Sequence, residues 1–312
     1  MSVILAAHGS GDGSEANQRV LELADALRAR RPGVRFGCAF WKGTPSFEDA
    51  ARSSRGQRPV VVPIMASGGY YARRRLPQEW AKGDPSRSFV ITPPIGTLPA
   101  FPRVLATKVG EAVTDMNQGG LSPVVLLVGH GTTRIRSSGD AARWVRDELA
   151  LSFPHTDILI AFLDESPFLS DVAGSLGDRA VVAVPLLLGG GPHVLVDLAR
   201  ALTVHRTFSE PGPLPDRLEN LPRNLKILPP ILEWPELSSL TLEAIDLATR
   251  VPASLGRSPR AWHARAGRPR RRPSPLGSGT HPNSGQKGGG RPRLPVVMSV
   301  MVPLRTGLPS VP

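Results

Sequence analysis

Cysteine is almost absent from this 312-residue sequence, and long apolar runs are absent altogether. The single cysteine, Cys38, excludes an internal disulfide and a zinc cluster of several thiolates. It lies in the apolar run VRFGCAFW, which predicts a packed strand residue. No stretch reaches the roughly 18 apolar residues of a membrane span, and the N-terminus lacks the basic region of a signal peptide. We therefore expect a cytoplasmic protein without a membrane span.

Acidic residues are missing from segment 251–312, which contains 11 Lys or Arg and no Asp or Glu. Residues 1–250 carry 27 basic and 26 acidic side chains, so most of the formal charge of +12 belongs to this segment. It is also rich in Pro, Gly and Arg, a composition typical of a disordered tail. We expect a solvated appendage. Weak electrostatic contacts with nucleic acid or anionic lipid are the functional alternative.

Motifs for nucleotide chemistry and for serine hydrolysis are missing as well. The glycine clusters at 67–69 and 189–191 are not followed by Lys-Ser or Lys-Thr, so no P-loop is present. The stretch GSGDGS at 9–14 lacks the acidic ribose partner of a dinucleotide site. No G-x-S-x-G nucleophile elbow occurs. We expect chemistry that needs no nucleotide.

An internal repeat organises the sequence. Shifted by 122 residues, 3–77 aligns with the second half without a gap: His8-Gly9 falls on His130-Gly131, and AFWKGTP on AFLDESP. Further on the offset rises to 136, and the extra length is a Pro-rich polar stretch typical of a surface insertion. The protein is therefore expected to contain two copies of one unit.

Each copy alternates short apolar runs with amphipathic helical patterns, in the order β-α-β-α-β-α-β-α. Continuous apolar strands predict a parallel sheet that helices cover on both faces. We therefore predict an α/β fold of two tandem duplicated lobes, 1–120 and 121–250, with a cleft between them and the tail 251–312 behind. Because the two lobes supply a pseudo-dimer, we expect a monomer.

Three histidines follow predicted strands. His8 and His130 directly follow the first strand of their lobes, and His193 follows a later strand of the second lobe. Ligands of open parallel sheets bind beyond the carboxyl ends of the strands, where neutral imidazole can bind Fe, Co, Ni or Zn or accept a proton. A hydrogen-bonded turn histidine is the alternative, and the recurrence of His-Gly weakens it. The first copy has Tyr71 where the second has His193.

Arginines accompany two of these strand ends. The run ARRRLP contains Arg73 and Arg75, and Arg134 comes shortly after His130. A solvated helix start is one interpretation of the run. Guanidinium also matches carboxylate in bidentate pairs, which makes these arginines candidates for binding an anionic ligand.

These segments resemble the class II tetrapyrrole chelatases, specifically the sirohydrochlorin chelatase family of the CbiX and SirB type in its two-lobed long form. ILAAHGS is similar to the family's opening strand and His-Gly-Ser motif. VVVPIMASGGYYARRRLP is similar to its strand that leads into a Gly-Tyr-His segment. The second copy matches again with GHGT, AFLDESPFLSDV and VPLLLGGGPHVLVDL, so that the resemblance covers about Val3 to Thr249.

The resemblance implies insertion of a divalent metal, cobalt or ferrous iron, into sirohydrochlorin or a related tetrapyrrole. Metal and tetrapyrrole would both be substrates, in cobalamin or siroheme biosynthesis. It assigns metal binding and proton acceptance to His8, His130 and His193. The expected substrate contacts are Ser10, Tyr71, Arg73, Arg75 and Arg134. A non-catalytic tetrapyrrole or metal carrier with a degenerate first-lobe site is the alternative function.

The first copy departs from the family pattern at two positions. Tyr71 stands where a histidine is expected, and Arg75 stands where an acid is expected and where the second copy has Asp197. A phenol with a pKa of about 10 is a poor ligand for a divalent ion. We expect Tyr71 to hydrogen-bond the macrocycle or a ligating histidine, and Arg75 to suit a substrate rich in carboxylates.

Overall fold

The computed structural model describes residues 1–131, 137–189, 191–204 and 221–250. Within these ranges strands and helices alternate along the chain, which confirms the predicted order of elements in both copies. Arg134 and the tail 251–312 lie outside the described residues.

The first half contains four strands and four helices: β1 (Ser2–Ala7), α1 (Glu15–Arg30), β2 (Arg35–Phe40), α2 (Phe47–Ser53), β3 (Val60–Ile64), α3 (Leu76–Gly83), β4 (Val90–Ile91) and α4 (Phe101–Gln118). A π-helical turn, Tyr71–Arg75, leads directly into α3, and a 3-10 turn, Ile95–Thr97, precedes α4.

The second half repeats the series: β5 (Val124–Gly129), α5 (Ser137–Ser152), β6 (Ile158–Phe162), α6 (Leu169–Leu176), β7 (Val181–Pro185), α7 (Gly191–Val204), β8 (Leu225–Ile227) and α8 (Leu237–Arg250). A 3-10 turn, Ile231–Glu233, precedes α8.

Two parallel four-stranded sheets form, in the orders β2-β1-β3-β4 and β6-β5-β7-β8. Their registers correspond, because Ala7 pairs with Phe40 in the first sheet and Gly129 with Phe162 in the second. In this order the chain turns to one side after β1 and to the other side after β3, and likewise after β5 and β7. Open parallel sheets bind their ligands at the carboxyl ends of such strand pairs.

Local signals in the sequence set the helix starts next to these strand ends. Ser14 caps α1, and its side chain accepts a hydrogen bond from the Asn17 backbone N–H. Ser46 and Asp49 form a capping box at the start of α2. Both helices therefore begin at defined points beyond β1 and β2.

The side-chain alternation of β1 divides the core of the first half into two layers. Val3 and Leu5 belong to a large cluster that also contains residues of the second half. Ile4 and Ala6 point to the other face, into a separate cluster with α2 and α3 that includes the fully buried Trp80. The second sheet likewise contributes one face to the shared cluster and the other to a cluster with α6 and α7. Both faces of each sheet are thus buried.

The last helix of each half covers the sheet of the other half. Helix α4 packs against α5 and β7, whereas α8 packs against α1 and β3. The rings of Phe101 and Trp234 stack with centroids 5.5 Å apart, and Arg31, directly after α1, forms a bidentate pair with Asp246 on α8 at 2.8 and 2.9 Å. The lobe boundary near residue 120 stays a prediction, because α4 lies before it in sequence yet packs on the second sheet.

Cys38 is a packed residue of β2, as its apolar context predicts. It is 8% exposed, and its thiol donates to the Val20 carbonyl at 3.6 Å. Burial raises the pKa of this thiol to about 11, so it is a poor nucleophile at neutral pH. Among the described residues no helix is both long and apolar enough to cross a bilayer.

Because α4 and α8 each pack on the sheet of the other half, we predict that the Phe101–Trp234 stack stabilises both halves. Phe101→Ala should lower the free energy of unfolding by about 3–5 kcal/mol, since it opens a cavity where the ring is fully buried. Guanidinium unfolding monitored by circular dichroism measures this loss. Leu21→Ala on the exposed side of α1 is the control, because Leu21 is 41% exposed. Equal losses for the two variants would contradict the prediction.

Candidate active site

The strand order brings the predicted site residues to the crevices of the two sheets. His8 follows β1 directly, and Tyr71 begins the π-helical turn after β3. In the second half His130 follows β5 directly, and His193 lies in the first turn of α7 after β7. Each pair therefore flanks the point where the connections diverge. A π-helical turn at such a point is a common feature of functional sites.

The imidazole of His8 has a defined tautomer. Its Nδ1 lies 2.8 Å from the Gly9 carbonyl oxygen. A carbonyl only accepts hydrogen bonds, so Nδ1 carries the proton and Nε2 keeps its lone pair. His8 can therefore offer Nε2 to a metal ion or to a proton.

The environment of His8 favours its neutral form. Partial burial lowers its pKa most strongly, the hydrogen bond to Gly9 raises it, and the charges of Lys42 and His130 lower it further. The charge of His130 therefore acts on His8 across the two halves, while a common site for the two histidines stays a prediction.

The Tyr71 ring contacts both the His8 ring and the ring of Trp41. The rings of Tyr71 and His8 meet edge to face with centroids 4.4 Å apart, and the Trp41 ring lies 6.2 Å from that of Tyr71. The Arg75 guanidinium stacks 4.0 Å above the Trp41 ring, and its Nε lies 3.4 Å from Glu79. Arg75 is therefore held against the first half's own side chains, and its contact with a substrate carboxylate stays a prediction.

Asp164, which the sequence analysis did not single out, pairs with His130. Its carboxylate lies 3.1 Å from Nδ1 of His130, and both side chains are exposed. In this position a carboxylate can accept the Nδ1 proton of a histidine and orient its ring, as carboxylates do behind metal-binding histidines. The repeat contained the signal for this residue, because Asp164 aligns with Lys42 next to the other histidine.

A second overlooked residue, the buried Asn17, holds the turn that carries His8. Its side-chain oxygen accepts from the Ser10 N–H at 3.1 Å, and its amide donates to the Lys42 carbonyl at 3.2 Å. Ser10 is exposed. Gly9 has φ +71°, and a Cβ there would lie 2.1 Å from the Lys42 carbonyl oxygen. The turn therefore requires glycine directly after the histidine.

The remaining predicted residues are only partly placed. Arg73 is exposed, and the charge of Asp140 on α5 raises its pKa, although burial of part of the guanidinium lowers it more. Arg73 thus lies within electrostatic reach of the second half. The side chain of His193 and all of Arg134 lie outside the described residues. Within the described part of the chain no group of three His, Cys, Asp or Glu side chains could hold a metal ion, so the three-histidine set stays a prediction.

Comparison with known proteins agrees with the duplicated fold. The CbiX family model matches twice, over residues 2–112 and 124–246. The chain belongs to the CbiX family. The two matches correspond to the two copies of the repeat, and together they include His8, Tyr71, His130 and His193.

One relative of this CbiX-family chain is described as a probable chelatase and another as an enzyme of siroheme biosynthesis. It is 24% identical over 219 residues to a protein of Halobacterium salinarum described as a probable sirohydrochlorin cobaltochelatase, covering 63% of this chain and 75% of that protein. It is 26% identical, with a TM-score of 0.61, to a CbiX described as the terminal enzyme of siroheme biosynthesis in denitrifying bacteria; 80% of this chain and 99% of that chain are covered.

A second similar structure is SirB from Bacillus subtilis with Fe³⁺, at 17% identity and a TM-score of 0.62, covering 80% of this chain and 95% of that one. At this identity the likeness shows the fold alone. Fold and family are thus those that the sequence motifs predicted.

The contacts of His8 predict its titration. Because burial and the Lys42 charge favour the neutral imidazole, the pKa of His8 should lie below the usual value of about 6.5. Lys42→Gln should raise it. Two-dimensional ¹⁵N NMR over a pH series measures the pKa and checks that Nδ1 carries the proton in the neutral form. A His8 pKa above that of a free histidine, or no rise on Lys42→Gln, would contradict this account.

Proposed function

We propose that this protein inserts a divalent metal ion into sirohydrochlorin or a closely related tetrapyrrole. The observation that carries the proposal is that His8 and His130 stand at equivalent strand ends of the two sheets, with Nδ1 of His8 bonded to the Gly9 carbonyl and Nδ1 of His130 lying 3.1 Å from the Asp164 carboxylate. Membership of the CbiX family and the chelatase relatives support the same substrates. The reaction class is that of a lyase-type metal chelatase.

The reaction requires ligands that are also bases. When M²⁺ enters the macrocycle, two pyrrole N–H bonds break and two protons leave. Neutral imidazoles can hold the incoming ion and then accept these protons. The lowered pKa of His8 keeps its imidazole neutral near pH 7. No nucleotide is needed for this exchange.

The two halves would contribute unequally. We assign metal binding to His130 and His193 of the second half, with His8 nearby and Asp164 orienting His130. Tyr71 contacts His8 and would hydrogen-bond the macrocycle or the ligand shell. Ser10, Arg73, Arg75 and Arg134 would meet the acidic edge of the tetrapyrrole.

Cobalt and ferrous iron both suit such a site, since histidine ligands do not discriminate between them. The product would enter cobalamin biosynthesis with cobalt and siroheme biosynthesis with iron. The rival function is a non-catalytic carrier of the tetrapyrrole or the metal, which would bind without turnover. A monomeric state, a cytoplasmic location and a solvated tail remain predictions.

The histidines predict a ranked loss of activity. In anaerobic assays with sirohydrochlorin and Co²⁺ or Fe²⁺, followed by absorption, the wild type should exceed the spontaneous rate. His130→Ala and His193→Ala should each reduce kcat by about 10²- to 10⁴-fold, as expected for loss of a base and ligand. His8→Ala should have a smaller effect. The metal with the higher kcat/KM identifies the pathway.

His155→Ala is the matched control, because His155 is an exposed histidine between α5 and β6, and it should retain wild-type activity. A wild-type rate equal to the spontaneous rate, with the macrocycle still bound, would contradict the chelatase proposal and favour the carrier.

Because the proposed reaction transfers two pyrrole protons to neutral imidazoles, we predict that activity falls at low pH. The first-half base stays neutral until the pH falls below the usual histidine value, because the pKa of His8 is lowered. The kcat/KM should therefore be constant near neutral pH and fall below about pH 6 as imidazoles protonate. A profile that stays flat from about pH 5 to about pH 8 would contradict histidine as the proton acceptor.

A further inference from the structure

In each half, two positions that contact each other lie next to the turn that carries His8 or His130. One of the two holds a large residue and the other holds glycine, and the two halves differ in which position holds which. In the first half the pair is Asn17 and Gly43, whereas the aligned pair in the second half is Gly139 and Glu165. The large residue therefore comes from the helix after β1 in one half and from the loop after β6 in the other.

In the first half the Asn17 side chain fills the space over Gly43. A Cβ on Gly43 would lie 2.3 Å from the Asn17 amide nitrogen, and a Cβ on Gly9 would lie 2.9 Å from its oxygen. Since real Cβ atoms essentially never lie within 3.0 Å of another heavy atom, a larger residue at Gly43 would displace the Asn17 side chain.

In the second half the Glu165 carboxylate and the Arg143 guanidinium together fill the corresponding space over Gly139. A Cβ on Gly139 would lie 2.5 Å from the buried Oε1 of Glu165 and 2.6 Å from Nη1 of Arg143, whose long side chain is partly exposed and can move aside. A Cβ on Gly131 would lie 2.7 Å from Cγ of Glu165. The Glu165 side chain therefore packs beneath the glycine that follows His130, as Asn17 packs beneath the glycine that follows His8. The backbone anchors also correspond, because the Asp164 N–H donates to the His130 carbonyl and the Lys42 N–H to the His8 carbonyl.

We propose that Glu165 is a positioning residue for His130: it replaces Asn17 in supporting the histidine turn and adds a negative charge behind the imidazole. The electrostatic part rests on the proposed function, in which His130 binds the metal ion. Next to His8 the aligned residues are Lys42 and glycine, whereas next to His130 they are Asp164 and Glu165. The charge difference favours a divalent cation at the second half.

Glu165→Gln tests the charge while it keeps the shape. We expect the KM for Co²⁺ to rise about five- to tenfold, the size expected when one carboxylate several ångströms away is neutralised. The kcat at saturating metal and the KM for sirohydrochlorin should stay within about twofold, a split that a merely structural residue would not produce. Glu22→Gln on the exposed side of α1 is the matched control and should leave all three constants unchanged.

A reciprocal exchange tests the shared space. Gly139→Asn and Glu165→Gly should each lower the melting temperature, the first by a clash with Glu165 and the second by an unfilled cavity. The double variant rebuilds the first-half arrangement in the second half and should recover at least half of the summed loss. It should also bind Co²⁺ more weakly than the wild type in calorimetric titration without macrocycle.

Two results would overturn the inference: no recovery of melting temperature in the double variant, or an unchanged affinity for Co²⁺ in Glu165→Gln. Both measurements remain decisive if the wild type inserts no metal, because melting and calorimetric binding need no turnover. Failure of the chelatase proposal and failure of this inference are therefore distinguished.

Discussion

A parallel sheet whose strands are buried needs helices on both of its faces. In this protein one face of each of the two sheets belongs to a single shared apolar cluster. Helices α4 and α8 each cover the sheet of the opposite half, and their contacts include the stacked Phe101 and Trp234. The duplicated halves are thereby fused through a common core. Strands β1 and β5, which lead to His8 and His130, both contribute residues to that core, so its packing fixes the two strand ends relative to each other.

Much of the fold followed from the sequence because its signals are local. Short apolar runs such as that of β5 identify strands, and the repeat shows that both copies use the same order, which places His8 and His130 at equivalent strand ends. The packing of α4 and α8 on the sheets of the opposite halves was not predictable in this way. The apolar stripe of α4 shows that one side of the helix is buried, but it carries no information about which of two similar sheets it meets.

The site was predictable where the repeat agreed and was incomplete where the repeat differed. The matching His-Gly pairs identified His8 and His130 as candidates. The difference between Lys42 and Asp164 lies within an aligned motif, but a difference between copies does not by itself indicate a functional residue. The position of Arg75 above Trp41 joins residues 34 positions apart in sequence, and only the packing of the π-helical turn beside β2 brings them together. Sequence reasoning identified Arg75 as a charge available to a ligand without its internal partners.

The residues near the candidate site differ in charge between the two copies in a consistent way. Around the first site stand Asn17, Lys42, Tyr71 and Arg75, and the aligned residues of the second copy are Gly139, Asp164, His193 and Asp197. The loss of the Asn17 amide is offset by Glu165. A neutral or basic set in the first copy therefore corresponds in sequence to an acidic and imidazole-bearing set in the second. Two identical half-sites would compete for a single metal ion, whereas opposite charges let one half attract the cation and the other half attract a carboxylate-rich macrocycle. If the proposed site binds one ion, a second complete ligand pair has no function there, and this accounts for Tyr71 at the position that aligns with His193.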